Sequence, residues 1–209
     1  MRKILPNQPP DVHIKVCQVP SDLGEGAVRG AFFQAKPSRL LLTTRLTADY
    51  LIEGGNSIQI APKPESDNAA ICHLAFGWAT GGLLIQRGIL ALHGSTIATP
   101  SGAVVFCGDS GVGKSTLVGL LLSRGMKILD DNIAALDLDS GQCLVQPGGG
   151  SLRLMPDSLD FLQIDSSRLI QFSKRMPKYL YVLNELEFCA HPIPLRKIYF
   201  LHRSGGVSR

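Results

Sequence analysis

The sequence of 209 residues predicts an α/β domain built around a phosphate-binding loop, 66–209, behind a small β-rich front section, 1–65. Three observations predict it. The stretch GDSGVGKST, 108–116, lies between an apolar run of strand character, AVVFC, and a leucine-rich run of helix character, LVGLLLSRG. A further apolar run, MKIL, follows that helix and ends on Asp130 and Asp131. Up to about Pro64 the pattern is instead one of short extended runs cut by Pro and Gly, as in VHIKV, RLLLTT and YLIEGGNSIQIAP.

Composition narrows the class. Hydrophobic residues make up 44% of the chain and charged residues 18%, a balance that supports one substantial core with a small appendage. The formal net charge of +4 is mild, no run of five Lys/Arg occurs and aromatics are sparse, which weighs against a nucleic-acid partner. Cys17, Cys72, Cys107, Cys143 and Cys189 are scattered with no C-x-x-C pair, which argues against a disulfide framework or zinc cluster and predicts reduced thiols in a cytoplasmic protein. The N-terminal stretch MRKILPNQPPDVHIKV has no apolar core of signal-peptide length. Positions 74–85 are uncharged and mostly apolar, but fall short of the roughly 20 residues a membrane span needs. A buried helix is expected there, and no membrane partner.

The elements follow in order. Gly54, Gly55 and Asn56 read as the turn between two alternating strands. PKPESDN supplies turn residues, and Asp67 or Asn68 caps a helix over about 69–87 that stops at Gly88. Gly77, Gly81 and Gly82 weaken its intrinsic helicity, so packing must hold it. LALHGSTIAT and GAVVFC form a hairpin across Pro100 and Ser101. TLVGLLLSRG is a helix ending at Gly125, MKILDDN a strand, and IAALDLDSGQCLVQP a second hairpin turning at Asp139, Ser140 and Gly141. Beyond GGGSLRLMPDSLDFL the patterns weaken until IPLRKIYFLHR gives a final strand. No internal repeat appears.

The loop matches G-x-x-x-x-G-K-[ST] without a gap, through Gly108, Asp109, Ser110, Gly111, Val112, Gly113, Lys114 and Ser115, with Thr116 following. Its glycines let successive N–H groups turn inward towards phosphate oxygens. Lys114 then reaches the β- and γ-phosphates of a nucleoside triphosphate, the Ser115 hydroxyl can bind Mg²⁺, and the helix N-terminus adds partial positive charge. Asp130 and Asp131 end a strand expected to run parallel to the one before the loop, so their carboxylates fall beside bound phosphates. One can hold Mg²⁺ while the other accepts a proton from an attacking hydroxyl. A hairpin centred on Pro100 and Ser101 pairs residues whose numbers sum to about 201, which sets His93 opposite Gly108. A histidine in an apolar strand is by itself commonly structural; this register brings it to the loop. Arg153, flanked by leucines, points either to solvent or towards phosphate. Lys174, Arg175 and Lys178 form a basic segment that serves as a solvated face or holds an acidic substrate. His13, His73, His191 and His202 have no metal-like spacing and read as structural or surface residues.

With LHGS, GDSGVGKST and ILDDN in this order and spacing, about 74–203 resembles the catalytic domain of HPr kinase/phosphorylase, a P-loop kinase core of the HPr kinase and phosphoenolpyruvate carboxykinase type. The acidic pair begins 16 residues after Lys114 (130 − 114). The segment PGGGSLRLMPDSL and the front section are similar to the family's short relatives, such as kinases encoded beside lasso-peptide precursors. The resemblance implies an ATP- and Mg²⁺-dependent serine kinase, with Lys114 and the loop on the triphosphate, Ser115 on the metal, His93 in the active site and Asp130 and Asp131 as the acidic pair. Asp130 is taken as the metal ligand and Asp131 as the base, the reverse being open, and Arg153 and Lys178 are candidate phosphate or substrate contacts. It implies a peptide or protein substrate carrying a serine, best matched by the C-terminal serine of a lasso-peptide precursor; a phosphocarrier is the alternative acceptor. The signature tied to dephosphorylation in the bifunctional enzyme is absent, so transfer is expected in the forward direction only. The relatives' helical tail after the last strand is not found before Arg209. An ATP-binding module that transfers nothing and a metabolite kinase are the rival readings, and a homo-oligomer is compatible with the sequence.

Overall fold

In the computed structural model, which describes residues 11–139, 141–164, 166–171 and 177–203, short alternating segments build a six-stranded sheet at the front. Its strands are β1 (His13–Val16), β2 (Val28–Arg29), β3 (Phe33–Lys36), β4 (Arg39–Thr43), β5 (Ala48–Glu53) and β6 (Ser57–Pro62), in spatial order β1-β6-β5-β4-β3-β2. β5 and β6 form the expected hairpin, Glu53 facing Ser57 across a turn in which Gly54 and Gly55 have φ of 59° and 68°. Period-two alternation places Tyr50, Ile52, Ile58 and Ile60 on one face, and a long helical segment covers them.

That segment starts at Asp67, whose side chain accepts from Ala69 N, and runs through α1 (Asn68–Leu74), a wider π-type turn (Ala75–Ala79) and α2 (Thr80–Gln86). Thr80 Oγ1 donates to Ala75 O at 2.9 Å within the wide turn. Ile71, Ala75, Ala79 and Leu83 are buried in the core it shares with the sheet. The helix expected to be buried is covered along one face alone, because it lies on one side of a single sheet: Phe76, Trp78 and Ile85 are exposed. At 19 residues it is, by length and composition, long and apolar enough to cross a membrane. It packs into the front unit, so the two compact units of the chain divide between Ile89 and Leu90 rather than at 65/66.

The second unit centres on a closed barrel made of β7 (Leu90–Thr99), β8 (Gly102–Gly108), β9 (Lys127–Asp137), β10 (Leu144–Gln146) and β14 (Ile193–Leu201), in the order β10-β14-β8-β7-β9. β7 and β8 form the expected hairpin in the expected register, Gly94 pairing with Cys107 and Thr99 with Gly102. β9 is one 11-residue strand, where the sequence suggests a strand and a separate hairpin arm. It pairs antiparallel with β7 along nearly its whole length. β9 therefore runs in the direction of β8 but with β7 between them, and its aspartates sit mid-strand rather than at a C-terminal end.

Outside the barrel lie α3 (Lys114–Ser123), α4 (Pro156–Leu162) and a sheet of β11 (Ser151–Leu154), β12 (Leu169–Gln171) and β13 (Tyr179–Val182) in the order β11-β13-β12. Ala103, Val105, Leu129, Leu136 and Val145 share one apolar cluster, while Phe106, Val118, Ile128, Leu152 and Leu154 join barrel, α3 and outer sheet in another. The molecule is thus a mixed α/β protein rich in strand, with several sheets.

The glycines of α2 give a test of packing against propensity. A Cβ on Gly81 would meet nothing within 4 Å, whereas one on Gly82 would sit 2.4 Å from Leu40 Cδ2. Gly81→Ala is expected to stabilise the protein by about 0.5–1 kcal/mol, the helix-propensity gain. Gly82→Ala gains the same propensity but must displace Leu40, so urea unfolding should rank it below Gly81→Ala.

Candidate functional site

The glycine-rich loop leaves the end of β8 and enters α3. Gly108, Gly111 and Gly113 have φ of 140°, 81° and 102°, values open to glycine and costly for residues with a β-carbon. The loop curls around Lys114, which is 7% exposed and whose Nζ donates to Gly108 O at 2.7 Å and Asp109 O at 3.0 Å. Asp109, Ser110 and Gly111 are exposed, while Val112 and Gly113 are half-buried. Val112 N donates to Asp109 O at 3.3 Å, closing the turn. Thr116 Oγ1 lies 2.7 Å from Ser158 Oγ and ties the start of α3 to α4.

Asp131 is 5% exposed and lies across from Ser95. Its carboxylate accepts from Ser95 Oγ at 2.5 Å and from the Arg153 backbone N at 2.8 Å, and the Ser115 hydroxyl also donates to it. Burial pushes its pKa up to about 6, against these three hydrogen bonds, and the charge of Asp130 adds to the rise.

Asp130 is committed elsewhere. Its Oδ1 accepts from Asn132 N at 2.7 Å and Ile133 N at 2.8 Å, and its Oδ2 from Gly149 N at 3.0 Å. It staples the Gly148–Gly149 turn to β9. Burial raises its pKa, opposed by those backbone donors and by the charge of Arg153. The sequence reading leaves open which of the two holds the metal and which takes the proton; it is Asp131 that adjoins Ser115, because alternation along β9 sends neighbouring carboxylates in different directions.

His93 pairs with Ile133 on β9, one step before the β7–β8 pair of Gly94 and Cys107. Its Nδ1 lies 3.1 Å from Asn132 O. A carbonyl only accepts, so Nδ1 carries the hydrogen and Nε2 keeps a lone pair. Burial lowers the imidazole pKa, as do the charges of Lys114, Lys178 and Arg153, against the raising effect of the Asn132 bond. The ring is held neutral among three cations. Arg153 lies between Leu152 and Leu154, both fully buried, so it faces away from the apolar core, where Asp131 and Asp130 counter the lowering of its pKa by burial. Of its two readings, the one towards the site fits this placement. Lys174 and Arg175 lie outside the described residues.

Two participants carry no motif. Ser95 reads only as part of an apolar strand. Arg203 donates from Nη2 to Gly111 O at 2.9 Å; it arrives there because β14 pairs parallel with β8 up to Leu201 and Gly108, a pairing that local patterning does not encode.

A hydroxyl beside a carboxylate is hard-oxygen chemistry that fits Mg²⁺, which takes few protein ligands and completes its shell with phosphate and water. Among the described residues no three His, Cys, Asp or Glu gather to hold a metal by themselves. The loop is open at Gly113, where a Cβ would meet nothing within 4 Å, and Lys114 rests on the carbonyls of Gly108 and Asp109.

No protein-family model matches the sequence, and no curated protein matches it. Among solved structures the chain is similar to the Hpr(Ser) kinase/phosphatase from Coxiella burnetii, with a TM-score of 0.30 and 19% identity over 34% of this chain and 53% of that one. The likeness thus spans about half the length of that protein.

Two predictions follow the carboxylates. Asp131 titrates near 6 in the folded chain against an ordinary value of 3.8, so between these values the folded state binds more protons than the unfolded one. Its contribution is fully present below pH about 3.8 and lost as pH rises through about 6. Asp131→Asn cannot ionise, so its stability relative to the parent should improve from pH 4 to pH 7.5 by up to about 3 kcal/mol. Urea unfolding at the two pH values measures this, and an equal difference at both contradicts it. Gly148→Ala would place a Cβ 1.6 Å from Asp130 Oδ2 and should cost about 2 kcal/mol or more, through overpacking and lost backbone capping.

Proposed function

We propose that this chain is an ATP- and Mg²⁺-dependent serine kinase with a P-loop core of the HPr kinase type, acting in the cytoplasm on a peptide or protein. The observation that carries this reading is the convergence of the Lys114 loop, the Ser115–Asp131 pair and a neutral His93 on β7, β8, β9 and the start of α3. The five free cysteines support the compartment.

In this reading the loop amides and Lys114 hold the triphosphate, and Arg203 steadies the loop from the end of β14. Ser115 and Asp131 would hold Mg²⁺, which neutralises charge on the transferring phosphoryl group. His93 Nε2, unprotonated and exposed, accepts the proton of the serine hydroxyl. Arg153 and Lys178 stabilise charge on the phosphoryl group or hold a carboxylate of the acceptor, which suits the C-terminal serine of a lasso-peptide precursor. Asp130 supports the turn that leads to Arg153.

The test compares three variants in nucleotide binding by calorimetry and in phosphate transfer to serine-ending peptides by mass spectrometry. Lys114→Ala should abolish nucleotide binding. His93→Asn should keep ATP affinity within a few-fold and lower transfer by roughly 10² or more, the range for loss of a general base. Asp131→Asn should weaken the Mg²⁺ dependence of nucleotide binding. If Asp131→Asn lowers transfer with Mg·ATP binding intact, Asp131 is the base. If ATP binds and no serine substrate is labelled, the protein is a nucleotide-binding module.

A further inference from the structure

Gly108 closes β8 at the loop; the other end of the same strand, at the β7–β8 turn, carries a separate feature. There a cavity of about 500 Å³ is lined by Thr99, Ser101, Val104, Arg196, Lys197 and Tyr199. None of these is acidic. Adjacent residues on a regular strand point to opposite faces, so Arg196 and Lys197 should not line one cavity. They do because β14 has a bulge: Leu195 pairs with Ala103 and Lys197 with Val104, leaving Arg196 as the extra residue. Bulges re-aim side chains and recur beside sites.

The chain accommodates this bulge with a glycine. Gly102 has φ of 125°, and a Cβ there would lie 2.6 Å from Pro194 O and 3.2 Å from Arg196 Cβ. The far wall is rigid: Tyr199 stacks on Phe106 at 5.8 Å between centroids with 15° between planes, and Lys197 Nζ sits 5.0 Å from the Tyr199 ring centroid. On the near side Thr99 Oγ1 donates to Gly102 O at 2.7 Å and accepts from Ser101 N at 3.3 Å, with Ser101 Oγ 3.1 Å away. Among the described residues the Arg196 and Lys197 side chains make no hydrogen bond or ion pair, and the Lys197 ammonium faces the Tyr199 ring.

Two cations without a carboxylate partner, beside an aromatic wall, attract a compact dianion, towards which the exposed Ser101 hydroxyl can turn from Thr99. The fork of a guanidinium and the point charge of an ammonium together match phosphate oxygens. We infer that this cavity binds a phosphoryl group, either as free phosphate or on a phosphorylated serine side chain of a peptide, at a site separate from the nucleotide loop.

The experiment titrates the ¹⁵N-labelled full-length protein with inorganic phosphate, with a phosphoserine tetrapeptide and with sodium chloride at matched ionic strength, reading amide shifts. Saturable shifts at Thr99, Ser101 and Gly102 are expected with phosphate or phosphopeptide and not with chloride, and the tighter of the two names the source. The Arg196→Ala/Lys197→Ala double variant should weaken this binding at least tenfold; both side chains are exposed, and the spectrum itself reports that the fold is kept. Shifts equal to those in chloride, shifts confined to 108–116, or unchanged affinity in the double variant would overturn the site. Lys114→Ala should leave the shifts at 99–102 in place, so this outcome and that of the kinase reading are independent.

Discussion

The buried carboxylate of Asp131 is the tie on which the second unit depends. It receives hydrogen bonds from Ser95 on β7, from the first turn of α3 through Ser115, and from the backbone of Arg153 on β11. Barrel, loop helix and outer sheet meet at one group whose ionised form burial disfavours. Three donors are what a buried carboxylate needs to remain tolerable. Each donor comes from a different element, so satisfying the charge and assembling the unit are the same requirement.

Asp130 shows what the adjacent position does when its oxygens are given to the backbone. Three N–H groups fix it to the glycine turn, and Gly148 must lack a side chain for the approach to occur. Thr96, opposite Asp130 in the β7–β9 register, is fully buried with an Oγ1 that has no hydrogen-bond partner among the described residues. An orphaned hydroxyl costs about 1–3 kcal/mol. Two adjacent aspartates thereby acquire separate roles, one inward to the chain's own backbone and one towards the loop.

The parts of this arrangement that were legible in sequence are those governed by local rules. The glycine loop, its flanking strand and helix, and the β7–β8 register came from turn chemistry and from counting residues about Pro100 and Ser101. The placement of the aspartates within a strand did not, because a continuous 11-residue β9 depends on its pairing with β7, which runs on past the acidic pair through Asn132 opposite Gly94. The β11-β13-β12 sheet is built from strands of three or four residues, too short to show a period. Arg203 and Ser95 reach the loop and Asp131 through non-local pairing, and no local pattern distinguishes them from other polar residues on strands.

Two irregularities in an otherwise regular barrel carry the same lesson about position. The first lies in the β7–β9 ladder, where Thr96 faces Asp130 but Ile97 faces Ile128, leaving Leu129 as the extra residue. Leu129 is fully buried in one apolar cluster while Ile128 is fully buried in the other, so the bulge anchors the strand just before its acidic pair. The second, at Arg196, turns two cations to one side of β14. Closed barrels leave little freedom for their paired strands, and a bulge is one of few ways to aim a side chain without breaking the ladder. Both interruptions fall where charged residues gather, the acidic pair of β9 and the two cations of β14, so the breaks in the ladder set which way those side chains face.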